Sequence, residues 1–255
     1  MSIVMDEYEW AEQMIESRDL GKKPLETLGR ISKYYLANQY SKKDIKKMLE
    51  TFLVQCDPSV CLPRWQDALD RIVKKSDKYP LIRVDGVHIS WTEMQKIMAL
   101  NGKQLQRLAF TLLCVAKYWD AVSPNNNHWV NTPDKELMEL AAVKTTVRRQ
   151  SSMFGELRDA GMLRFSRKVD NLNVQILFID SDDPCLCIQD FRNLGFQYQK
   201  FCGEPCFECE CCGAVVARAS SHAGRPQKYC KSCANDMKIQ QSVASVVRQR
   251  TIPLS

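Results

Sequence analysis

The feature that most constrains this chain is a cysteine spacing near its C-terminal end. Cys209-x2-Cys212 and Cys230-x2-Cys233 are separated by seventeen residues, an interval typical of zinc sites built from two Cys-x2-Cys pairs. Seven of the twelve cysteines (Cys202, Cys206, Cys209, Cys211, Cys212, Cys230 and Cys233) fall within thirty-two residues. In a reducing compartment such thiols stay free or ligate metal rather than bridge. Four thiolates suit a tetrahedral Zn²⁺ and leave no open position for water, so one structural ion per chain is expected. A segment of about fifty residues builds little core of its own, and metal binding would supply folding energy that burial cannot. Gly213 suits the turn after the first pair. A helical pattern over 234–248 puts the second pair at a helix N-terminus, where the dipole favours thiolate. Other ligand sets remain open: Cys206-x2-Cys209 is also a valid pair, Cys211 adjoins Cys212, and His222 could replace a sulfur.

Upstream the pattern is mostly helical. Residues 6–79 show apolar spacings of three and four, as in Leu25, Leu28, Ile31, Tyr35 and in Ile45, Met48, Leu49, Phe52, Leu53, which predict four helices. Gly21 and Pro24 divide the first two, Ser41 is the expected N-cap of the third, and Pro58 and Pro63 bracket the connection to the fourth. Leu81-Ile82-Arg83-Val84, Asp85-Gly86, Val87-His88-Ile89 reads as a β-hairpin with a type I′ turn. Ser90 and Glu93 then predict a capping box opening another helix.

Residues 103–179 carry the clearest fold signal. Leu105, Leu108, Leu112, Ala116 and Trp119 line one face of a long helix, and the polar loop Asn125-Asn126-Asn127 follows. Thr132-Pro133 opens a short helix, and a second start at Thr145 leads into a helix expected to turn Val147, Phe154 and Leu157 inward. Gly161 is the expected stop, with strands over 162–167 and 172–179 joined by Val169-Asp170-Asn171. The order helix, helix, helix, hairpin resembles a winged helix-turn-helix domain. Glu156-Leu157-Arg158-Asp159-Ala160-Gly161-Met162-Leu163 is similar to the junction of recognition helix and wing in bacterial and phage members of that superfamily. The cysteine module resembles a treble-clef or zinc-ribbon finger. Together the two resemble DNA-binding proteins of bacteriophages and mobile elements, which implies transcriptional control or replication initiation.

The expected architecture is therefore α+β and mostly helical. It comprises a helical region (1–80), a hairpin and helix connection (81–102), a winged helix (103–180), a linker (181–203), and a four-cysteine zinc finger with a C-terminal helix (204–255).

Charge supports the same reading. The chain carries 36 basic and 30 acidic residues, a net +6, which permits nucleic-acid binding without requiring it. Residues 1–60 hold 9 basic and 10 acidic groups, whereas 144–168 hold seven basic against two acidic, a local +5. The expected recognition helix presents Lys144, Thr146, Arg148, Arg149 and Ser152 outward. Its arginines suit guanine O6 and N7, Thr146 a thymine methyl, and Lys144 a phosphate. Arg164, Arg167 and Lys168 on the wing are placed to hold the flanking backbone. The expected partner is double-stranded DNA, with a replication or transcription protein engaged through the N-terminal helices. The alternative is an adaptor that grips proteins through both modules, its basic face merely solvated.

Catalysis is not expected. The chain has no G-x-x-x-x-G-K-[ST] loop, G-x-S-x-G elbow or H-E-x-x-H motif. Pro133-Asp134-Lys135-Glu136 falls on a first helical turn, where acids suit the dipole, and lacks the partner strand of a nuclease. His88 and His128 read as structural or exposed imidazoles, and Cys185-Leu186-Cys187 as a strand with one buried thiol. The longest nearly apolar run, 108–116, is interrupted by Thr111 and closed by Lys117, far short of the ~20 residues that cross a bilayer. The N-terminal stretch turns acidic at Asp6 and Glu7, without the pattern of a signal peptide. A cytoplasmic, non-membrane protein is the expectation.

Overall fold

The computed structural model describes residues 3–167, 173–180, 182–218 and 227–250, the last eight by backbone alone. The fold is α+β and mostly helical, and it divides into two units, Met1–Gly86 and Val87–Ser255.

The first unit has the four expected helices: α1 (Glu7–Ser17), α2 (Pro24–Ala37), α3 (Lys42–Cys56) and α4 (Gln66–Lys75), with a 3₁₀ turn at Leu62–Trp65 before the last. The first three starts have a local cause. The Asp6 carboxylate accepts from the amides of Tyr8 and Glu9, Pro24 occupies a first-turn position of α2, and Ser41 accepts from the Asp44 amide. The predicted stripes meet in one core of Leu28, Ile31, Ile45, Leu49, Phe52, Leu53 and Leu69. Glu7 is buried, and its carboxylate accepts from Arg30 (3.0 Å), Lys33 (2.8 Å) and the Ile82 amide (3.0 Å).

The predicted hairpin over 81–89 does not form. Arg83 bridges Asp6, and the Val84 amide donates to the Met5 carbonyl at 2.8 Å. Strand β1 (Val87–Ser90) pairs instead with β5 (Pro184–Ile188), antiparallel, with Val87 opposite Ile188. Gly86 does not adopt positive φ, so the I′ turn is absent. Alternating apolar residues mark a strand but do not name its partner.

The second unit is built on α6 (Lys103–Val122), whose inner residues from Leu105 to Tyr118 are buried almost all round. Around it lie α5 (Trp91–Met98), α7 (Asp134–Leu140), α8 (Val147–Asp159) and α9 (Leu194–Phe201). A three-stranded antiparallel sheet of β2 (Trp129–Val130), β3 (Leu163–Phe165) and β4 (Val174–Ile176) has the order β2-β4-β3. Gln175 therefore faces Trp129 on one side and Arg164 on the other. Gly161, at φ 71°, ends α8, with the Met162 amide donating to the Leu157 carbonyl at 3.0 Å. The expected capping box of α5 is present, and Glu93 is fully buried. Its carboxylate also accepts from Lys117 Nζ (2.7 Å) and the Asp180 amide (2.8 Å).

Of the linker expected over 181–203, the part over 184–201 is instead structured. It contributes β5 and α9, burying Ile188, Phe191, Leu194 and Tyr198. At Gly195 the α9 backbone approaches the end of α7 so closely that a Cβ would lie 1.9 Å from the Ala141 carbonyl oxygen. The polar and acidic residues that suggest a linker lie on the outer side of these elements. Cys185 and Cys187 form the expected strand, yet both are exposed, because a two-stranded ribbon covers only the face that carries Ile188. Beyond α9, β6 (Cys206–Glu208) and β7 (Val215–Ala217) form a hairpin, and α10 (Lys231–Arg250) ends the described chain.

Candidate metal centre and basic helix face

The β6–β7 hairpin sets the first cysteine pair. The Cys209 amide donates to the Ala214 carbonyl (3.0 Å) and the Gly213 amide to the Cys209 carbonyl (2.8 Å). Gly213 closes this turn at φ 72°, a left-handed conformation that other residues adopt at a cost. Cys209 and Cys212 then project from one tight knuckle. The second pair sits at the start of α10, where the Ala234 amide donates to the Cys230 carbonyl at 2.9 Å. A hydrogen bond from the Glu210 amide to the Lys228 carbonyl (3.0 Å) and a Lys228–Glu210 ion pair (3.0 Å) draw the two segments together.

The four sulfurs of Cys209, Cys212, Cys230 and Cys233 lie within 4.8 Å of one another, with Cys209 and Cys230 buried and the other two half-buried. Cys212 and Cys230 are 3.9 Å apart, sulfur to sulfur. A tetrahedron with metal–sulfur bonds of about 2.3 Å has edges of about 3.8 Å, so the set is already near the size a metal ion requires. The Cys230 amide donates to Cys209 Sγ at 3.2 Å. This bond, helped by the amides of Cys212 and Cys211, pulls the Cys209 thiol down to about 6 against the effect of burial. A thiolate is the ligand form.

Of the competing ligands, Cys206 lies on β6 and Cys211 is exposed, and neither joins the group. His222 lies outside the described residues. Arg192 donates to the Cys212 carbonyl (2.7 Å) and the Asn193 amide side chain to the Val215 carbonyl (3.1 Å). The knuckle is thereby tied to the start of α9, which a free-standing finger would not be.

The basic stretch maps onto α8 and the sheet beside it. Lys144, Thr146, Arg148, Arg149 and Ser152 are all exposed, as expected. Their bonding differs. Thr146 spends its hydroxyl as the N-cap, accepting from the Arg149 amide at 3.3 Å. Arg149 is ion-paired with Glu156 and donates to Ser152 Oγ at 3.1 Å. Hydrogen bonds from Ser152 and Arg149 hold the Glu156 carboxyl below its usual range. The charged ends of Lys144 and Arg148 have no partner among the described residues. Arg164 donates to Gln175, Arg167 is exposed, and Lys168 lies outside the described residues.

Val147 does not point inward. It is 76 % exposed, while Met153, Phe154 and Leu157 are buried. The first turn of α8 runs past the edge of the core, so helical phase alone misassigns its first residue. A second feature escaped the residue count over 1–60. Lys42, Lys43, Lys46 and Lys47 crowd onto α3 while Glu7, Glu9, Glu12 and Glu16 lie on α1, so the totals cancel although the charges are segregated. The i, i+1, i+4, i+5 spacing of these lysines was the available signal.

No known family, curated protein or solved structure matches this chain. Among the described residues no helix is long and apolar enough to cross a membrane.

Proposed function

We propose that this chain is a non-catalytic double-stranded DNA-binding protein in which a winged helix reads the duplex and a structural zinc ion folds the C-terminal segment. One observation carries the reading: the order α6, β2, α7, α8, β3, β4 with an antiparallel β2-β4-β3 sheet, combined with an exposed cationic first turn on α8. This order fits a winged helix, and in that reading α8 serves as the recognition helix. Lys144 and Arg148 are free to meet phosphate and a base edge, and exposed Val147 adds an apolar surface for a thymine methyl. Four thiolates at this spacing suit zinc, in a closed site fitted to structure rather than catalysis. A regulator of transcription or an initiator of replication, of phage or mobile-element type and acting in the cytoplasm, fits this reading.

A gel-shift series from about 50 to 200 mM salt tests it, because several phosphate contacts impose a steep salt dependence. Duplex binding that is absent, or flat across that range, would sink the proposal. The adaptor reading has its own support in the exposed apolar side chains Val147 on α8 and Phe165 on β3, which suit a protein partner. It takes over if the chain captures a protein from nuclease-treated extract and binds no duplex.

A further inference from the structure

Helices α3 and α4 of the first unit enclose an open groove lined by Lys42, Lys43, Lys46, Lys47 and Lys74. Two carboxylates, Glu50 and Asp70, also face it, leaving a net +3. The lysines are not equivalent. Lys42 is paired with Asp77 at 2.7 Å and Lys46 with Asp70 at 2.5 Å. Glu50 accepts from Gln66 at 2.9 Å. The ammonium groups of Lys43, Lys47 and Lys74 are exposed and have no partner among the described residues. Lys43 and Lys47 are one helical turn apart, about 6 Å along the axis, and Lys74 stands across from them on α4.

We propose that this groove is a second, sequence-independent site for the phosphate backbone of duplex nucleic acid. It goes beyond the reading of α8 and rests on different residues. Three uncompensated cations converging on a groove repel one another, and a polyanion relieves that repulsion while releasing its own counterions. Ammonium is a point charge without the planar fork of arginine, so the site holds phosphate and does not read bases. The lining carries no aromatic ring on which an unpaired base could stack, which favours a duplex over a single strand. Val73 is its sole apolar member, leaving an acidic peptide no pocket for a side-chain anchor.

The test uses the full zinc-loaded chain and a short duplex of random sequence, with anisotropy read from about 50 to 200 mM salt. Lys43→Ala/Lys47→Ala/Lys74→Ala should lower random-duplex affinity about tenfold or more at the low-salt end. It should also reduce the log–log salt slope by up to about 2.7, that is about 0.9 for each of three phosphates. Lys22→Ala/Lys23→Ala, which removes two exposed charges outside the groove, should retain most of this random-sequence binding, so that the loss is specific to the groove. All three lysines are exposed, and an unchanged melting temperature would show that the triple variant folds. The proposal is overturned if the triple variant binds like the parent, or if the parent binds no random duplex. Polyglutamate that binds the parent as tightly as duplex per charge, and loses that binding in the triple variant, would reassign the groove to acidic proteins.

Discussion

Arg148 and Arg149 stand side by side on α8, yet only Arg149 has its guanidinium occupied, by Glu156 and Ser152. Under the DNA-binding reading this separates their expected effects. Arg148→Ala should cost about 1–3 kcal/mol at the preferred duplex and flatten sequence preference in a competition titration. Arg149→Ala should cost less, because engaging DNA already requires breaking the Glu156 pair. Equal losses would show that the pair opens freely. Arg167→Ala should instead weaken all sequences alike and lower the salt slope by about 0.9. Glu93 illustrates a different use of charge. Its buried carboxylate satisfies the Ser90 and Asp180 amides and holds Lys117, so it joins the start of α5, the middle of α6 and the chain leaving β4. Glu93→Ala leaves Lys117 without its counter-charge and should destabilise the protein by about 3–5 kcal/mol in urea unfolding. A loss below 1 kcal/mol would mean that Lys117 reaches water.

At the scale of elements, the cysteine hairpin and α10 depend on each other through the four sulfurs, since β6–β7 offers only Phe207 and Ala214 as buried apolar support. Elemental analysis of protein purified without chelator should find about one zinc per chain. Cys209→Ser or Cys233→Ser should abolish it and remove hydrogen-exchange protection from β6, β7 and the start of α10. Cys187→Ser should leave zinc content unchanged, because that thiol lies on β5 outside the cluster. The contact of α9 with α7 is just as specific. Gly195→Ala places a methyl group inside the Ala141 carbonyl, an overlap with backbone that no side-chain rotation relieves, and should cost about 1–3 kcal/mol or more. A variant melting like the parent would show that α9 can shift away from the end of α7.

For the whole molecule, the division is into two units. The segment 184–201, with its acidic approach and its Gly and Asn residues, has the composition of a connection but supplies a strand to β1 and a helix to α6. Limited proteolysis should therefore leave β5 and α9 intact while the exposed turn at Cys202 and Gly203 is cut. A first cut inside α9 would contradict its packing. Burial on α6 follows the same logic: one apolar face is written in its sequence, and α5, α7, α8 and α9 together cover the rest.

The sequence by itself determined the helices of the first unit, the caps at Ser41 and Ser90, the stop at Gly161 and the four clustered cysteines. Each depends on residues a few positions apart, and helical period, capping and the Cys-x2-Cys turn are local physics. The sequence also named the exposed residues of α8, but not which of its cations were already engaged. Tertiary structure alone decided that β1 pairs with a strand nearly a hundred residues later, that Val147 lies outside the core, and that Gly195 must be glycine. It also decided that lysines invisible in a neutral count line one groove. Those outcomes depend on which distant surface arrives to cover an apolar face or oppose a charge, and the pattern of a single segment carries no record of its partner.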